Sequence, residues 1–323
     1  MTDVRIINAD VIEGLAQLDD ESVQCCVTSP PYWGLRDYGA EGQLGIESTP
    51  AEYVERMVAV FEDVRRVLKD DGVLWLNLGD SYAMSTKGAG GAGKQHTNTG
   101  SVFRDCSHSI PPGIKPKDLV GIPWRVAFAL QDDGWYLRSD VIWSKLNPMP
   151  ESVTDRPTKA HEYVFLLTKS ARYFYDVEAI AEQSKYPNDN RKARQKQNDY
   201  DSMAGEHGQL RAVINQKNAK TYQTRNARTV WTFSTKPYAA AHFATFPPEL
   251  PERCILAGSR RGDIVLDPFA GSGTTGMVAR ALGRSAVLIE LNPEYIPLIE
   301  GRCALPWERS TQADADQRGI WDE

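Results

Sequence analysis

The sequence predicts an α/β protein with a doubly wound, mostly parallel sheet, and three features support this prediction. Asp263–Gly276 is a short apolar strand that runs into a glycine-rich turn, and Met277–Leu282 after it is compatible with a helix. Ser285–Leu291 is a second strand beyond that helix. Earlier in the chain, Pro50–Leu68 has the apolar spacing of an amphipathic helix and precedes Val73–Leu78, a buried strand. Strands that alternate with helices in this way typically form a parallel sheet.

The first elements of the chain end in a proline-rich loop. Arg5–Asn8 is predicted as a strand, Val11–Leu18 as a helix and Ser22–Thr28 as a second strand. This strand runs directly into Ser29-Pro30-Pro31-Tyr32, where two consecutive prolines fix an extended, rigid loop. Ligands bind at the carboxyl edge of open α/β sheets, so the loop is a candidate site.

The remaining predicted elements follow from the same periodicities. A stop at Lys69–Gly72 is predicted to end the amphipathic helix. Pro123 is expected to interrupt or kink the first half of another helix. The other predicted elements are helices at Asp118–Gln131 and Leu250–Ala257 and strands at Tyr136–Trp143 and Tyr163–Thr168, the strands flanking a proline-broken loop at Lys145–Lys159.

Composition bounds the class of protein. The chain has 323 residues, of which 41% are hydrophobic, so it can bury a sizeable core. It has no apolar run of membrane-spanning length and no signal-peptide pattern at its start, so we expect a cytoplasmic protein without a membrane partner. Its five cysteines are an odd number without C-x-x-C spacing, so neither disulfides nor a metal site are predicted.

A basic segment interrupts an acidic chain. The net charge is −6, yet Ser184–Val230 contains ten Lys or Arg and four Asp or Glu, a local charge of +6. A basic segment attracts polyanions, so it is a candidate DNA-contacting module. Its polar composition is also typical of a disordered insert. The candidate DNA-binding residues are Arg191, Lys192, Arg194, Lys196, Arg211, Arg225 and Arg228.

A second glycine-rich stretch is predicted to be a mobile loop. Ser85–Lys117 has no periodicity, and within it Gly88–Lys94 satisfies the pattern of a phosphate-binding loop. Gln95 stands where that loop needs Ser or Thr for magnesium, and neither the preceding strand nor the following helix is present. We therefore predict no nucleoside triphosphate site here.

The turn after the strand at 263–267 has the chemistry of a nucleoside-binding site. Gly271 and Gly273 lack a Cβ, so a ligand can approach the backbone closely. Asp267 would repel a pyrophosphate but would suit a cationic group, such as the amino end of S-adenosylmethionine (AdoMet). Glu290, about 20 residues further on, has the position from which a carboxylate holds ribose hydroxyls. The alternative is an ordinary β-turn-α junction with a capping Asp.

Two motifs together resemble a known family. Val27–Tyr32 (VTSPPY) and Val265–Gly276 match, in this order, the catalytic and AdoMet motifs of the circularly permuted β group of amino DNA methyltransferases. Ala286–Tyr295 is similar to the family's ribose-binding strand. The resemblance covers nearly the whole chain and is weakest in the basic segment and the glycine-rich loop. It implies a permuted AdoMet-dependent methyltransferase fold with an inserted DNA-recognition region.

The resemblance also implies roles for individual residues. Ser29 and the Pro30 carbonyl would accept hydrogen bonds from the target amine, Pro31 would orient that carbonyl, and Tyr32 would stack on the flipped base. Ser29 has an alternative as a strand-end cap, and Asp10, the residue implied at the adenine end of AdoMet, has one as a helix N-cap. His242–Pro248 resembles a segment that covers the methionine moiety. The implied cofactor-binding residues are Asp10, Asp267, Phe269, Gly271, Gly273, Thr274 and Glu290.

The target base depends on one side chain. In the resembling family Ser at the first loop position is associated with N4 of cytosine and Asp with N6 of adenine, so Ser29 favours cytosine, with adenine as the alternative. Cytosine C5 chemistry is disfavoured because it needs an attacking thiolate, usually after a proline, and the chain contains no Pro-Cys pair. A protein or RNA amine or amide methyltransferase and a silent DNA-binding homologue are further alternatives.

The implied partner is double-stranded DNA, and a homodimer and a cognate restriction endonuclease remain open. The predicted division of the chain is a catalytic half at 1–168, a target-recognition insert at 169–230, a cofactor-binding half at 231–305 and a tail at 306–323.

Overall fold

The structure is a computed structural model that describes residues 2–35, 42–83, 110, 113–184, 223–235 and 246–307. Contacts divide the chain into one unit formed by Met1–Tyr175 and Thr229–Glu323 and a second formed by Asp176–Arg228. Most of the predicted mobile loop at 85–117, including Gly88–Lys94, lies outside the described residues.

A mixed sheet forms the centre of the first unit. Its strands are β1 (Val4–Asn8), β2 (Val23–Thr28), β3 (Leu68–Leu78), β4 (Tyr136–Lys145), β5 (His161–Thr168), β8 (Val230–Phe233), β9 (Ile264–Asp267) and β10 (Ser285–Glu290). They lie in the order β1-β10-β9-β2-β3-β5-β4-β8. The strands β1, β10, β9, β2 and β3 pair in parallel, as do β4 and β8, whereas β5 is antiparallel to both neighbours. The predicted mostly parallel sheet is confirmed.

The second unit contains a short antiparallel pair in its described part. β6 (Glu182–Gln183) pairs with β7 (Thr224–Arg225).

Helices cover both faces of the main sheet. They are α1 (Val11–Leu15), α2 (Pro50–Val67), α3 (Ile122–Asp132), α4 (Glu249–Gly258), α5 (Thr274–Ala281) and α6 (Ile296–Ala304). Neighbouring residues of β2 point to opposite faces: Cys26 belongs to the buried cluster that includes α1, α2 and α3, whereas the Cys25 sulfur faces the Cys254 carbonyl of α4 at 3.9 Å. Both cysteines are fully buried, so β2 is covered on both faces, as the predicted doubly wound arrangement requires.

Close packing of α4 on the sheet depends on a glycine. A Cβ at Gly258 would lie 2.5 Å from Val73 Cγ2 and 2.9 Å from the Cys25 sulfur. Only a residue without a side chain allows the end of α4 to approach β2 and β3 this closely.

Two predicted boundaries were wrong. The segment Lys69–Gly72, expected to be a helix stop, already belongs to β3, since α2 ends at Val67 and the strand begins at the next residue. The helix expected from Asp118 begins at Ile122, because the Asp80 carboxylate accepts hydrogen bonds from the backbone N–H groups of Gly121 and Ile122. Pro123 therefore lies in the first turn, where its missing N–H costs nothing, and does not kink the helix.

Smaller differences occur at three other helices. α1 ends at Leu15, not Leu18, and α5 begins at Thr274, not Met277. Helix α6 was not predicted as an element, although it packs against α5 behind the glycine turn. No helix in the described ranges combines the length and apolar character that a membrane crossing requires.

Candidate active site

The two motif loops open at the same edge of the sheet. β1, β10, β9 and β2 are consecutive parallel strands, so their carboxyl ends lie side by side. A cavity at this edge is lined by seven of the predicted site residues, which are Asp10, Ser29, Pro31, Phe269, Gly271, Thr274 and Glu290. The structure thus brings the proline loop and the glycine turn together. Pro30, Tyr32, Asp267 and Gly273 are not among the residues that line this cavity.

Glu290 forms an acidic part of the cavity wall. Its carboxylate accepts hydrogen bonds from the backbone N–H groups of Gly271 at 2.8 Å and Asn292 at 2.9 Å. Burial raises the pKa of Glu290, and these two N–H groups oppose the rise. The two bonds fix the carboxylate at the carboxyl end of β10, where it can accept further hydrogen bonds from ligand hydroxyls.

The two glycines of the turn have different surroundings. Gly271 lines the cavity with φ at +51°, and the atom nearest to an added Cβ is a backbone oxygen 4.0 Å away. Gly273 has φ at +77°, and an added Cβ would lie 2.9 Å from Ile299 Cγ2 in α6. Gly271 therefore leaves space for a ligand, whereas Gly273 allows the turn to pack against α6.

Asp267 lies beneath the turn and does not line the cavity. Its side chain is buried and accepts hydrogen bonds from Thr28 Oγ1 at 2.7 Å, Thr275 Oγ1 at 2.6 Å and Phe269 N at 3.1 Å. Burial raises the pKa of Asp267 to about 6, and these three donors limit the rise. In this arrangement the carboxylate supports the turn, and its predicted contact with a cationic ligand group stays a prediction.

Asp10 has the helix-capping role considered from the sequence, and its predicted contact with the adenine end of AdoMet stays a prediction. Its carboxylate caps α1 by accepting a hydrogen bond from Ile12 N at 2.9 Å, and the residue also lines the cavity. Phe246 lines the cavity as well and belongs to the segment His242–Pro248, whose first four residues lie outside the described part of the chain.

The proline loop is anchored from two sides. The Tyr53 hydroxyl donates to the Pro31 carbonyl at 2.9 Å, so this carbonyl is already engaged, and Pro30 itself is buried. The ring of Tyr32 packs against Gly79, where an added Cβ would lie 2.5 Å from Tyr32 Cε2. Tyr32 does not line the cavity, so its predicted stacking on a base stays a prediction.

A polar network continues from Ser29 into the sheet. Ser29 Oγ donates to Tyr32 Oη at 3.2 Å, and Tyr32 Oη donates to Glu162 Oε2 at 2.8 Å. Glu162 Oε1 is bonded to Lys145 Nζ at 2.5 Å, and Asn77 contacts both Tyr32 and Glu162. Sequence analysis missed Asn77, Lys145 and Glu162, since each is a polar residue in a strand and no motif marks them.

Two of the predicted DNA-binding arginines form ion pairs within the second unit. Arg225 Nη2 lies 3.0 Å and Arg228 Nε 2.9 Å from Glu182 Oε2. Phosphate binding by these residues stays a prediction that competes with this structural role. Arg191, Lys192, Arg194, Lys196 and Arg211 lie outside the described residues.

The fold and the cavity define the class of protein. A doubly wound sheet with a glycine turn and an acidic residue at the ends of adjacent strands is typical of enzymes that bind a nucleoside-containing cofactor. The family model N6_N4_Mtase, described as DNA methylase, matches residues 23–301. The chain belongs to this DNA methylase family.

Individual relatives agree with the family match. The chain is 46% identical to the type II methyltransferase M.Cfr9I of Citrobacter freundii over 92% of this chain and 86% of the relative. It is 48% identical to the type II methyltransferase M.SmaI of Serratia marcescens over 92% of this chain and 90% of the relative. Among solved structures, the PvuII DNA methyltransferase (cytosine-N4-specific) has the same fold, with a TM-score of 0.62 at 20% identity over 98% of this chain and 92% of that one.

Proposed function

We propose that the chain is a site-specific DNA methyltransferase that transfers a methyl group from AdoMet to the exocyclic amino group of a flipped base in duplex DNA, with N4 of cytosine as the favoured target. The observation that carries the proposal is that Ser29 of the proline loop lines the same cavity as Phe269 and Glu290 of the cofactor half. A methyl donor and an acceptor amine could therefore meet in one space.

The residues of the cavity fit AdoMet. Glu290 would hold the ribose hydroxyls, Asp10 would face the adenine end, and Phe269 and Phe246 would supply apolar surface. Gly271 has no side chain that would fill the cradle. Bound there, AdoMet supplies a methyl group on a positively charged sulfur, and no metal is needed.

The proline loop would activate the amine. The lone pair of an exocyclic amine is delocalised into the base, so the site must favour a pyramidal nitrogen. Ser29 Oγ and the Pro30 carbonyl would do so by accepting the two amine hydrogens. Because Pro31 O accepts from Tyr53, the loop is fixed beside the cavity before the substrate arrives. Tyr32 would stack on the base, which must leave the duplex to reach the cavity.

The choice of cytosine depends on Ser29. A hydroxyl at this position is associated with N4 transfer in the resembling family, and the structural neighbour from the PvuII system is described as cytosine-N4-specific. The alternative is N6 of adenine. The further alternatives are transfer to a protein or RNA amine or amide and a silent DNA-binding homologue.

Other parts of the proposal concern organisation. The catalytic loop at 29–32 precedes the cofactor turn at 267–276 in sequence, which is the order of the circularly permuted β group. The second unit, with Arg191 and its basic neighbours, would recognise the DNA site. A cytoplasmic location, a homodimer and a cognate restriction endonuclease complete the proposal, and the buried free cysteines Cys25, Cys26, Cys254 and Cys303 suit a reducing compartment.

The test is the identity of the product. Duplex DNA is incubated with the protein and AdoMet, digested to nucleosides and analysed by mass spectrometry, and we expect N4-methylcytosine. N6-methyladenine alone would replace the favoured base by its alternative. Methylated protein or RNA without methylated DNA would overturn the proposed substrate class, and AdoMet binding without any transfer would favour the silent homologue.

A further inference from the structure

We propose that Glu162 is a positioning residue that fixes Ser29 as a hydrogen-bond acceptor through the Tyr32 hydroxyl. The proposal rests on the proposed function, in which Ser29 Oγ must accept a hydrogen from the target amine. It concerns residues on β3, β4 and β5, outside the two motif loops. It explains how a serine at the first position of the proline loop can accept a hydrogen bond from the amine, as an aspartate at that position would.

A serine hydroxyl has a directional ambiguity that a carboxylate lacks. It can donate one hydrogen bond as well as accept, whereas an ionised carboxylate only accepts. If Ser29 donated its hydrogen to the amine, it would compete with the methyl group for the nitrogen lone pair. The hydrogen of Ser29 must therefore be held elsewhere for the reaction to proceed.

The Tyr32 hydroxyl provides that place. Its two other contacts are both acceptors, Glu162 Oε2 at 2.8 Å and Asn77 Oδ1 at 3.3 Å. The orientation of the Asn77 amide is set because its Nδ2 donates to the Tyr163 carbonyl at 3.0 Å and to Glu162 Oε2 at 3.2 Å. The Tyr32 hydrogen is thus directed away from Ser29, and the 3.2 Å contact between Ser29 Oγ and Tyr32 Oη requires Ser29 to donate.

Glu162 is itself held in place. Its other carboxylate oxygen is bonded to Lys145 Nζ, and the side chains of both residues are largely buried, with 13% of Glu162 and 20% of Lys145 exposed. Lys145 Nζ also lies 4.7 Å from the centre of the Trp143 ring. Burial and the Glu162 charge both raise the pKa of Tyr32, so the phenol keeps the hydrogen that it donates. The chain of donors therefore runs in one direction, from Ser29 to Tyr32 to Glu162.

The test substitutes Glu162→Gln. A glutamine amide can turn its oxygen to Lys145 and its NH₂ to Tyr32, which removes the fixed direction while keeping the shape. We expect the single-turnover rate of methyl transfer, measured with the DNA and AdoMet complex preformed, to fall about tenfold or more, since one lost hydrogen bond of about 1.4 kcal/mol corresponds to a factor of ten. The affinities for AdoMet and for DNA should stay within about twofold of the wild-type values, because Glu162 is not among the residues proposed to bind either of them.

The same substitution made in two other variants distinguishes a positioning role of Glu162 from simple support of the fold. In a Ser29→Asp protein the acceptor is a carboxylate, which has no hydrogen that must be directed away from the amine. Adding Glu162→Gln to this protein should therefore lower the single-turnover rate only slightly. In a Tyr32→Phe protein the link is already broken, so Glu162→Gln should again add nothing. If Ser29→Asp is inactive, the Tyr32→Phe comparison decides. Equal losses in the wild-type and Tyr32→Phe backgrounds would overturn the proposal, because they would show that Glu162 acts independently of this hydroxyl.

A matched control is available at the other edge of the sheet. Asp263 lies just before β9 begins, and its largely buried carboxylate forms an ion pair with Lys69, with Oδ1 and Nζ 3.5 Å apart. The substitution Asp263→Asn removes this ion pair. We expect it to lower thermal stability without changing the single-turnover rate. Failure of the proposed function is distinguishable, because it would appear as an undiminished rate in Ser29→Ala or as the absence of methylated DNA from the wild-type protein.

Discussion

Thr28 Oγ1 donates a hydrogen bond of 2.7 Å to Asp267 Oδ1, so the ends of two neighbouring strands, 239 residues apart in the chain, are joined directly beneath the cavity. Thr28 immediately precedes the proline loop, and Asp267 begins the glycine turn. Both residues are buried. The bond therefore links the proline loop to the glycine turn beneath the cavity that both loops line.

Burial of Asp267 gives a pH-dependent contribution to stability. Its pKa rises from an ordinary 3.8 to about 6 because desolvation disfavours the charged form. The folded protein then binds more protons than the unfolded chain between these values, so this group makes stability fall as pH rises from about 4 to about 6. We expect Asp267→Asn to remove that decline, which amounts to about 3 kcal/mol, on the order of two pKa units.

The measurement is the free energy of unfolding in urea at several pH values for the wild-type and Asp267→Asn proteins. The asparagine can still accept from Thr28 and Phe269, and Thr275 can donate to the Val27 carbonyl, which lies 3.4 Å away, while it accepts from the new NH₂ group. The difference between the two proteins should grow from pH 4 to pH 6 and stay constant above it. A difference that is independent of pH would contradict the raised pKa.

A second prediction concerns the acceptor itself. Ser29→Ala truncates a residue that lines the cavity, and the hydroxyl it removes donates to Tyr32, which is not among the residues proposed to hold the cofactor. We expect kcat to fall about 10²-fold or more, by comparison with the removal of one preorganised hydrogen-bond partner elsewhere. The affinity for AdoMet, measured by calorimetry, should be nearly unchanged. A collapse of cofactor binding would mean that the loop has another role.

A third prediction uses two glycines at α6. In Gly273→Ala the new Cβ would lie 2.9 Å from Ile299 Cγ2 at a φ of +77°, so both strain and overlap oppose it. We expect a loss of about 2 kcal/mol or more in the free energy of unfolding. Gly301→Ala is the control, because it lies exposed in α6 with nothing within 4 Å of the new atom. It should be neutral or slightly stabilising. Equal effects of the two substitutions would contradict the proposed packing.

Sequence periodicity predicted the strands β1 to β5, β9 and β10, because buried strands and rigid turns leave local signals, whereas β6, β7 and β8 were not predicted. The β2 strand and its proline loop, and the β9 strand and its glycine turn, could be placed in this way. The start of α3 could not, since it depends on Asp80 from a distant segment. The link between Ser29 and Glu162 was equally invisible, because it joins positions 133 residues apart through a hydroxyl of Tyr32.

The role of Asp267 shows a second limit of the sequence. A carboxylate at the end of a strand suggested a ligand contact, but the same residue is surrounded by Thr28, Thr275 and the Phe269 N–H group. Hydroxyl donors on neighbouring elements cannot be foreseen from the local pattern. Tertiary contacts therefore give Asp267 a supporting role that the local pattern did not indicate, and its contact with a cationic ligand group stays a prediction.

The last prediction tests the basic segment. Replacing Arg191, Lys192 and Arg194 together by Ala should weaken DNA binding and flatten its salt dependence, because each phosphate contact that is lost reduces the slope of log K against log salt by about 0.9. Arg225→Ala is an informative comparison, since its guanidinium already pairs with Glu182 at 3.0 Å. We expect it to change the slope less than one lost contact would. An unchanged slope in the triple variant would return the segment to the interpretation of a disordered insert, whereas a full unit of slope lost in Arg225→Ala would show that DNA displaces Glu182 from this arginine.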